Sequence, residues 1–218
     1  MTERPSPAAR MAPSAWNVAN GLTVLRLLLV PVFGWLLLWG DGQDASTRWW
    51  AFAVFSVAMA TDRIDGDIAR SRGLITDFGK VADPIADKTL VTMALVGLSM
   101  IGDIPWWITV VILVREWGIT AMRFWVIRHG VMAAGRGGKV KTLLQALALG
   151  FFVIPRFSLP LSGLLDALAW ATLVAALVVT VVTGVDYAID ALRLRRTSPR
   201  ALAQRAARAA ARERRRGQ

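Results

Sequence analysis

Eight positions between Asp62 and Asp87 hold the chemistry this chain could perform: Asp62, Asp65, Gly66, Ala69, Arg70, Gly79, Asp83 and Asp87. They lie in or beside long apolar stretches, where an ionisable side chain is costly and marks function by default. On helices, Asp62, Asp65 and Ala69 fall at i, i+3 and i+7, and Asp83 and Asp87 at i and i+4. Each helix would then offer a pair of carboxylates from one face. Four carboxylates gathered in a basic chain need positive charge between them. Oxygen-only ligation suits Mg2+ or Mn2+, and four carboxylates suffice for two such ions. Paired metals clamp the attacking and leaving oxygens of a phosphoryl displacement, a reaction that depends on alignment and charge neutralisation. Asp87 at the edge of the set is suited to take a proton from an attacking hydroxyl. Arg70 can grip a phosphate with paired hydrogen bonds, and Gly66 and Ala69 leave room for a ligand beside the backbone. The competing reading makes these acids solvated helix ends paired with Arg63, Arg70, Arg72 and Lys88. It gives no reason for Gly66 and Gly79. Asp67 and Asp77 fall outside the pattern and read as loop-side charges.

The elements that must position these acids are apolar helices. The chain has 218 residues, is 55% apolar and has a mean hydropathy of +0.48. Six runs read as membrane spans: 22–39, 49–60 continuing as a helix to 70, 84–101, 106–127, 142–154 and 159–187. The second run is too short to cross a bilayer unless it continues through the acids, which brings Asp62 and Asp65 to the headgroup zone. Pro84 suits a first helical turn; if its helix starts earlier, it frees a carbonyl one turn back. The expected fold is an all-α, polytopic membrane protein with a six-helix bundle. Residues 1–15 form a polar segment, 16–192 the membrane domain and 193–218 an Arg- and Ala-rich tail. The polar, Pro-rich start does not look like a cleaved signal peptide. With no Cys, disulfides and thiolate metal sites are excluded.

The net charge of +11 would suggest nucleic acid in a soluble protein. In this apolar chain it points instead to anionic headgroups and to topology. Lys and Arg gather in 70–80, in 128–141 and beyond Arg193, and are sparse in 41–48, 102–105 and 155–160. Both termini and the acidic cluster are therefore expected on the cytoplasmic side of a cell membrane. The basic tail reads as a solvated topology signal or as an attachment to anionic lipid. His129 reads as interfacial, and Asp166, Asp186 and Asp190 belong to no motif.

The run Asp62-x2-Asp65-Gly66-x2-Ala69-Arg70-x8-Gly79-x3-Asp83-x3-Asp87 resembles, without departure, the signature of the CDP-alcohol phosphotransferases. These integral membrane enzymes move a phosphatidyl or similar group from a CDP-linked donor to an alcohol and release CMP. The resemblance implies a di-metal centre held by Asp62, Asp65, Asp83 and Asp87, with Asp87 as the base. It implies donor-nucleotide contacts at Asp62, Gly66, Ala69 and Arg70, and a six-helix, usually dimeric fold with a polar cavity open to the cytoplasm.

Asn17 to Arg26, Asp83 to Lys88, Arg115-Glu116 with Arg123, and Gly138 to Thr142 are similar to the bacterial subgroup that uses glycerol 3-phosphate. The expected reaction is phosphatidyl transfer from CDP-diacylglycerol to sn-glycerol 3-phosphate, a step of phospholipid biosynthesis. Inositol phosphate and phosphatidylglycerol are the alternative acceptors. Arg115, Lys139 and Arg123 are the candidates for the acceptor phosphate, and Glu116 could orient Arg115 or Arg123. The plainer readings are an ordinary Arg115–Glu116 ion pair and, for Lys139 and Lys141, topology charges. A cation transporter or an inactive scaffold is the non-enzymatic alternative. The transporter gives no reason for Gly66, Ala69 and Arg70, and the scaffold does not need all four Asp.

Overall fold

A computed structural model describes residues 18–72, 77–126 and 137–197. Among these residues the structure is all-helical, with no strands: α1 (Val18–Leu38), α2 (Ala45–Arg72), α3 (Asp77–Met100), α4 (Trp106–Val126), α5 (Gly137–Val153) and α6 (Ser162–Thr197). The helices fall into two compact units. One holds α1, α2 and α3 with Val153–Ser158; the other holds α4, α5 as far as Phe152, and α6.

Each apolar run expected from the sequence is a helix, but several helices outrun the apolar residues. α3 begins at Asp77 rather than at Pro84, α5 at Gly137, and α6 continues to Thr197. Hydropathy marks where a helix is greasy; the backbone ladder continues wherever polar residues tolerate it. Pro84 is thus interior, and its ring removes the helical bond to the carbonyl of position 80. The expected continuation of the second run is borne out, since α2 reaches Arg72.

In the first unit α1 lies against both α2 and α3, and small residues let the backbones approach. Ala51, Ala58, Ala86 and Ala94 are fully buried. A Cβ at Gly97 would stand 2.7 Å from Leu37 Cδ2, and one at Gly34 would meet the Met93 thioether. Phe33 and Phe55 pack with ring centroids 5.6 Å apart.

The α1–α2 connection is a tight 3-10 turn, Trp39–Gly42, with Gly40, Asp41 and Gly42 all at positive φ. Asp44 then caps α2: its Oδ1 accepts from the Ser46 N–H at 2.8 Å and the Thr47 N–H at 3.5 Å. Arg48 clamps the turn, donating from Nε to the Val153 carbonyl at 2.9 Å and from Nη1 to the Gly42 carbonyl at 3.4 Å.

The surface is what a bilayer selects. Two stretches, Asn20–Gly42 and Ser162–Ile189, are long and apolar enough to cross a membrane. Core helices of soluble proteins pass the same test, but those are mostly buried. Here only 33% and 22% of the apolar windows are covered. Leu28, Trp35, Val114 and Val182 are exposed, while Asn20, Thr23, Arg26, Glu116 and Lys141 are buried. Trp39, Trp49 and Trp50 flank the α1–α2 turn, and Trp106 and Trp107 open α4, all exposed, as rings at a membrane interface would be. These apolar, outward-facing helices suggest a membrane protein.

Gly42 is held both by its backbone conformation and by its neighbours. Its φ is +71°, and a Cβ would lie 2.7 Å from Ile101 Cδ1. A left-handed L-residue costs about 1–2 kcal/mol before any clash. Gly42→Ala should therefore lower the thermal midpoint by about 2–8 °C. Gly21→Ala, on α1 with nothing within 4 Å, should be neutral or stabilising. Tryptophan-fluorescence melts in detergent micelles check both; equal midpoints for the two variants would mean that the turn is not constrained as described.

Candidate functional site

The acidic residues occupy the helical register their spacing requires. Asp62, Asp65, Gly66, Ala69 and Arg70 all lie on α2; Gly79, Asp83 and Asp87 all lie on α3. The i, i+3 and i, i+4 relations therefore hold on real helices, and each pair shares a helix face. Their side chains lie outside the described residues, as do those of Arg123 near the end of α4 and Lys139 in the first turn of α5. His129 and the tail from 198 also lie outside them.

α1 packs against α2 just before the acidic segment. Asn20, Thr23 and Arg26 recur at i, i+3 and i+6 and are all buried, a polar stripe inside an otherwise apolar helix. Arg26 is fully covered and donates from Nε to the Ala58 carbonyl at 3.2 Å. Ala58 is one turn before Asp62 on α2. Thr61, between them, also donates to the Ala58 carbonyl, at 2.9 Å. Sequence reasoning assigned this stripe no role; three-residue spacing of polar side chains in an apolar helix was the available signal.

In the second unit a cluster of charges joins three helices. Arg115 on α4 donates from Nε to the Thr180 carbonyl at 3.1 Å and from Nη2 to Thr183 Oγ1 at 2.8 Å, both on α6. Its Nη1 donates to Glu116 Oε1 at 3.0 Å. The same oxygen accepts from Lys141 Nζ on α5. Glu116 and Lys141 are 8% and 7% exposed, so Lys141 is not a surface topology charge. The expected Arg115–Glu116 contact is present, and Lys141 is the added partner that sequence reasoning missed. Arg115 has five N–H donors, and these bonds use three of its nitrogens. Gly184 makes the reach to α6 possible: a Cβ there would stand 3.0 Å from Arg115 Cγ.

Around the cluster the interior stays polar. Thr120, one turn after Glu116, donates to its carbonyl at 2.9 Å. Gln145, one turn beyond Lys141, and Thr180 are buried.

The profile of the CDP-alcohol phosphatidyltransferases matches residues 16–182. The chain belongs to that family. Family members generally use divalent metals, and this chain is an enzyme of the CDP-alcohol phosphotransferase class. It is 54% identical over 177 residues to a Mycobacterium tuberculosis protein named "Probable phosphatidylglycerophosphate synthase", covering 81% of this chain and 82% of that one. A Bacillus subtilis relative, CDP-diacylglycerol--glycerol-3-phosphate 3-phosphatidyltransferase, is 34% identical across 79% of this chain and 93% of its own length. A Streptomyces coelicolor cardiolipin synthase (CMP-forming) is also 34% identical, over 52% of this chain and 53% of its own.

The charge cluster in this family member makes a stability prediction. Truncating one partner of a buried pair strands the other and costs about 3–5 kcal/mol, whereas removing both is often neutral. Glu116→Gln, which takes the shared carboxylate from both Arg115 and Lys141, should therefore lower the thermal midpoint clearly, whereas Lys141→Met, which leaves Glu116 paired with Arg115, should lower it less. Melts of the purified variants decide it; a Glu116→Gln variant no less stable than Lys141→Met would show that the shared carboxylate is not what holds these helices.

Proposed function

We propose that this chain transfers the phosphatidyl group of CDP-diacylglycerol to sn-glycerol 3-phosphate, forming phosphatidylglycerol phosphate and CMP. The observation that carries the reading is the uninterrupted acidic signature on α2 and α3 in a chain 54% identical to the mycobacterial relative. The cardiolipin synthase match, which would favour phosphatidylglycerol as acceptor, extends over only 52% of the chain. We further propose six spans with both termini and the acids on the cytoplasmic side of a bacterial cell membrane, and a homodimer. The alternation of basic and charge-poor connecting segments supports the orientation.

The donor set fits a hard cation. All four candidate ligands, Asp62, Asp65, Asp83 and Asp87, are carboxylates, which suit Mg2+ or Mn2+ and disfavour softer metals. Two such ions, when bound, would neutralise the donor diphosphate and the charge that grows on departing CMP. The chain's own residues do the rest. Arg70 holds a diphosphate oxygen, and Gly66 and Ala69 let the nucleotide lie against α2. The acceptor hydroxyl oxygen bonds to the phosphatidyl phosphorus, the bond from that phosphorus to CMP breaks, and the hydroxyl proton passes to Asp87. Lys139 and Arg123, together with Arg115, are the cations for the acceptor's phosphate monoester.

Purified protein with CDP-diacylglycerol and a panel of acceptors tests this directly. CMP release should be fastest with glycerol 3-phosphate, vanish in EDTA, and return with Mg2+ or Mn2+. Faster release with inositol phosphate or phosphatidylglycerol would replace the acceptor; full activity in chelator would remove the metal.

Asp87→Asn separates the base from the donor site. Positioned proton transfer contributes about 10²- to 10⁴-fold, so turnover should fall by that factor while CDP-diacylglycerol binding persists. Asp62→Asn should weaken donor binding as well. Near-parental turnover in Asp87→Asn would reject its role.

A further inference from the structure

We propose that Glu116 is a positioning residue for the acceptor side of the site, acting through Lys141 and Arg115 rather than by touching substrate. The proposal rests on the reading in which Lys139 and Arg123 meet the acceptor phosphate.

One carboxylate oxygen, Glu116 Oε1, accepts from two cations on two helices. Arg115 carries the connection on to α6 through the Thr180 carbonyl and Thr183 Oγ1. α4, α5 and α6 are thereby tied at one point. Both acceptor candidates lie on helices joined at that point. Lys141 is two residues beyond Lys139 in the opening turns of α5. Arg123 is seven residues beyond Glu116 on α4, on the same helix face. A bond that fixes Lys141 fixes the rotation of the first turn of α5, and Lys139 turns with it.

The bland alternative is that the cluster only stabilises the fold. Well-packed apolar side chains would do that at least as well as buried charges. A second alternative is plain electrostatic attraction of an anion by the cluster's net positive charge. The two alternatives and the proposal diverge when the glutamate loses its charge. Glu116→Gln makes the cluster more positive, so simple attraction predicts tighter acceptor binding, whereas positioning predicts weaker binding.

The test uses the full chain in mixed micelles, with CMP release measured against acceptor and donor concentration. The acceptor is whichever one the panel above finds fastest. A result against glycerol 3-phosphate thus overturns the proposed function while this test still proceeds. Glu116→Gln should raise acceptor KM by about 10-fold, the lower end of what a charged hydrogen bond is worth, with donor KM within about twofold. Lys141→Met, which leaves the Arg115–Glu116 pair in place, should raise acceptor KM as well. An acceptor KM that is unchanged or lowered in Glu116→Gln overturns the proposal. So does a parental acceptor KM in Lys141→Met, because Glu116 then does not act through Lys141. If Glu116→Gln does not fold, Gly184→Ala carries the test, since its Cβ displaces Arg115 without removing a charge. Acceptor KM should rise about threefold there with donor KM constant; no change in either overturns the proposal.

Discussion

A charge placed among apolar helices must find its partner inside the protein, and this structure is organised around that demand. Arg48 finds two backbone carbonyls, Val153 and Gly42, and in doing so ties down the α1–α2 turn. Arg26 finds the Ala58 carbonyl and brings α1 to α2 one turn before the acidic segment. Arg115 and Lys141 find Glu116 and, through Arg115, α6. The four aspartates on α2 and α3 face the same demand. On the proposed reading, divalent ions answer it and supply the phosphoryl chemistry.

The apolar architecture serves this polar interior. Alanine and glycine bring backbones together where α1 meets α2 and α3, beside the buried Phe33, Leu37 and Leu90, while many other aliphatic and indole side chains stay exposed. Gly184 does the same for one long side chain, allowing Arg115 to reach a helical carbonyl that already serves the α6 ladder. Placing the acids on helix interiors rather than on loops fixes their spacing by the backbone itself. A phosphoryl displacement, which needs alignment above all, benefits directly.

The sequence made the helices and the acidic register legible because both rest on local periodicity. Asp62 with Asp65, and Asp83 with Asp87, needed only the helical repeat. Helix ends were less legible, because hydropathy reports where side chains are apolar and α3, α5 and α6 all run on into polar turns. Arg48 was hidden in a segment noted for having few charges, yet it is a buried clamp. Lys141 resembled its neighbour Lys139 in sequence; only the fold, by bringing it to a glutamate 25 residues away, distinguishes the two. Such pairings depend on tertiary contact and leave no spacing rule to read.

On the proposed reading the α2–α3 aspartates hold divalent cations as a set. Electron paramagnetic resonance of the purified chain titrated with Mn2+, in the absence of substrate, measures this without reference to turnover. Saturable binding of two ions per chain with a spin-coupled signal is expected, lost when Asp65 and Asp83 are both changed to Asn. Uncoupled Mn2+ bound equally by the parent and the Asp65→Asn/Asp83→Asn variant would contradict it.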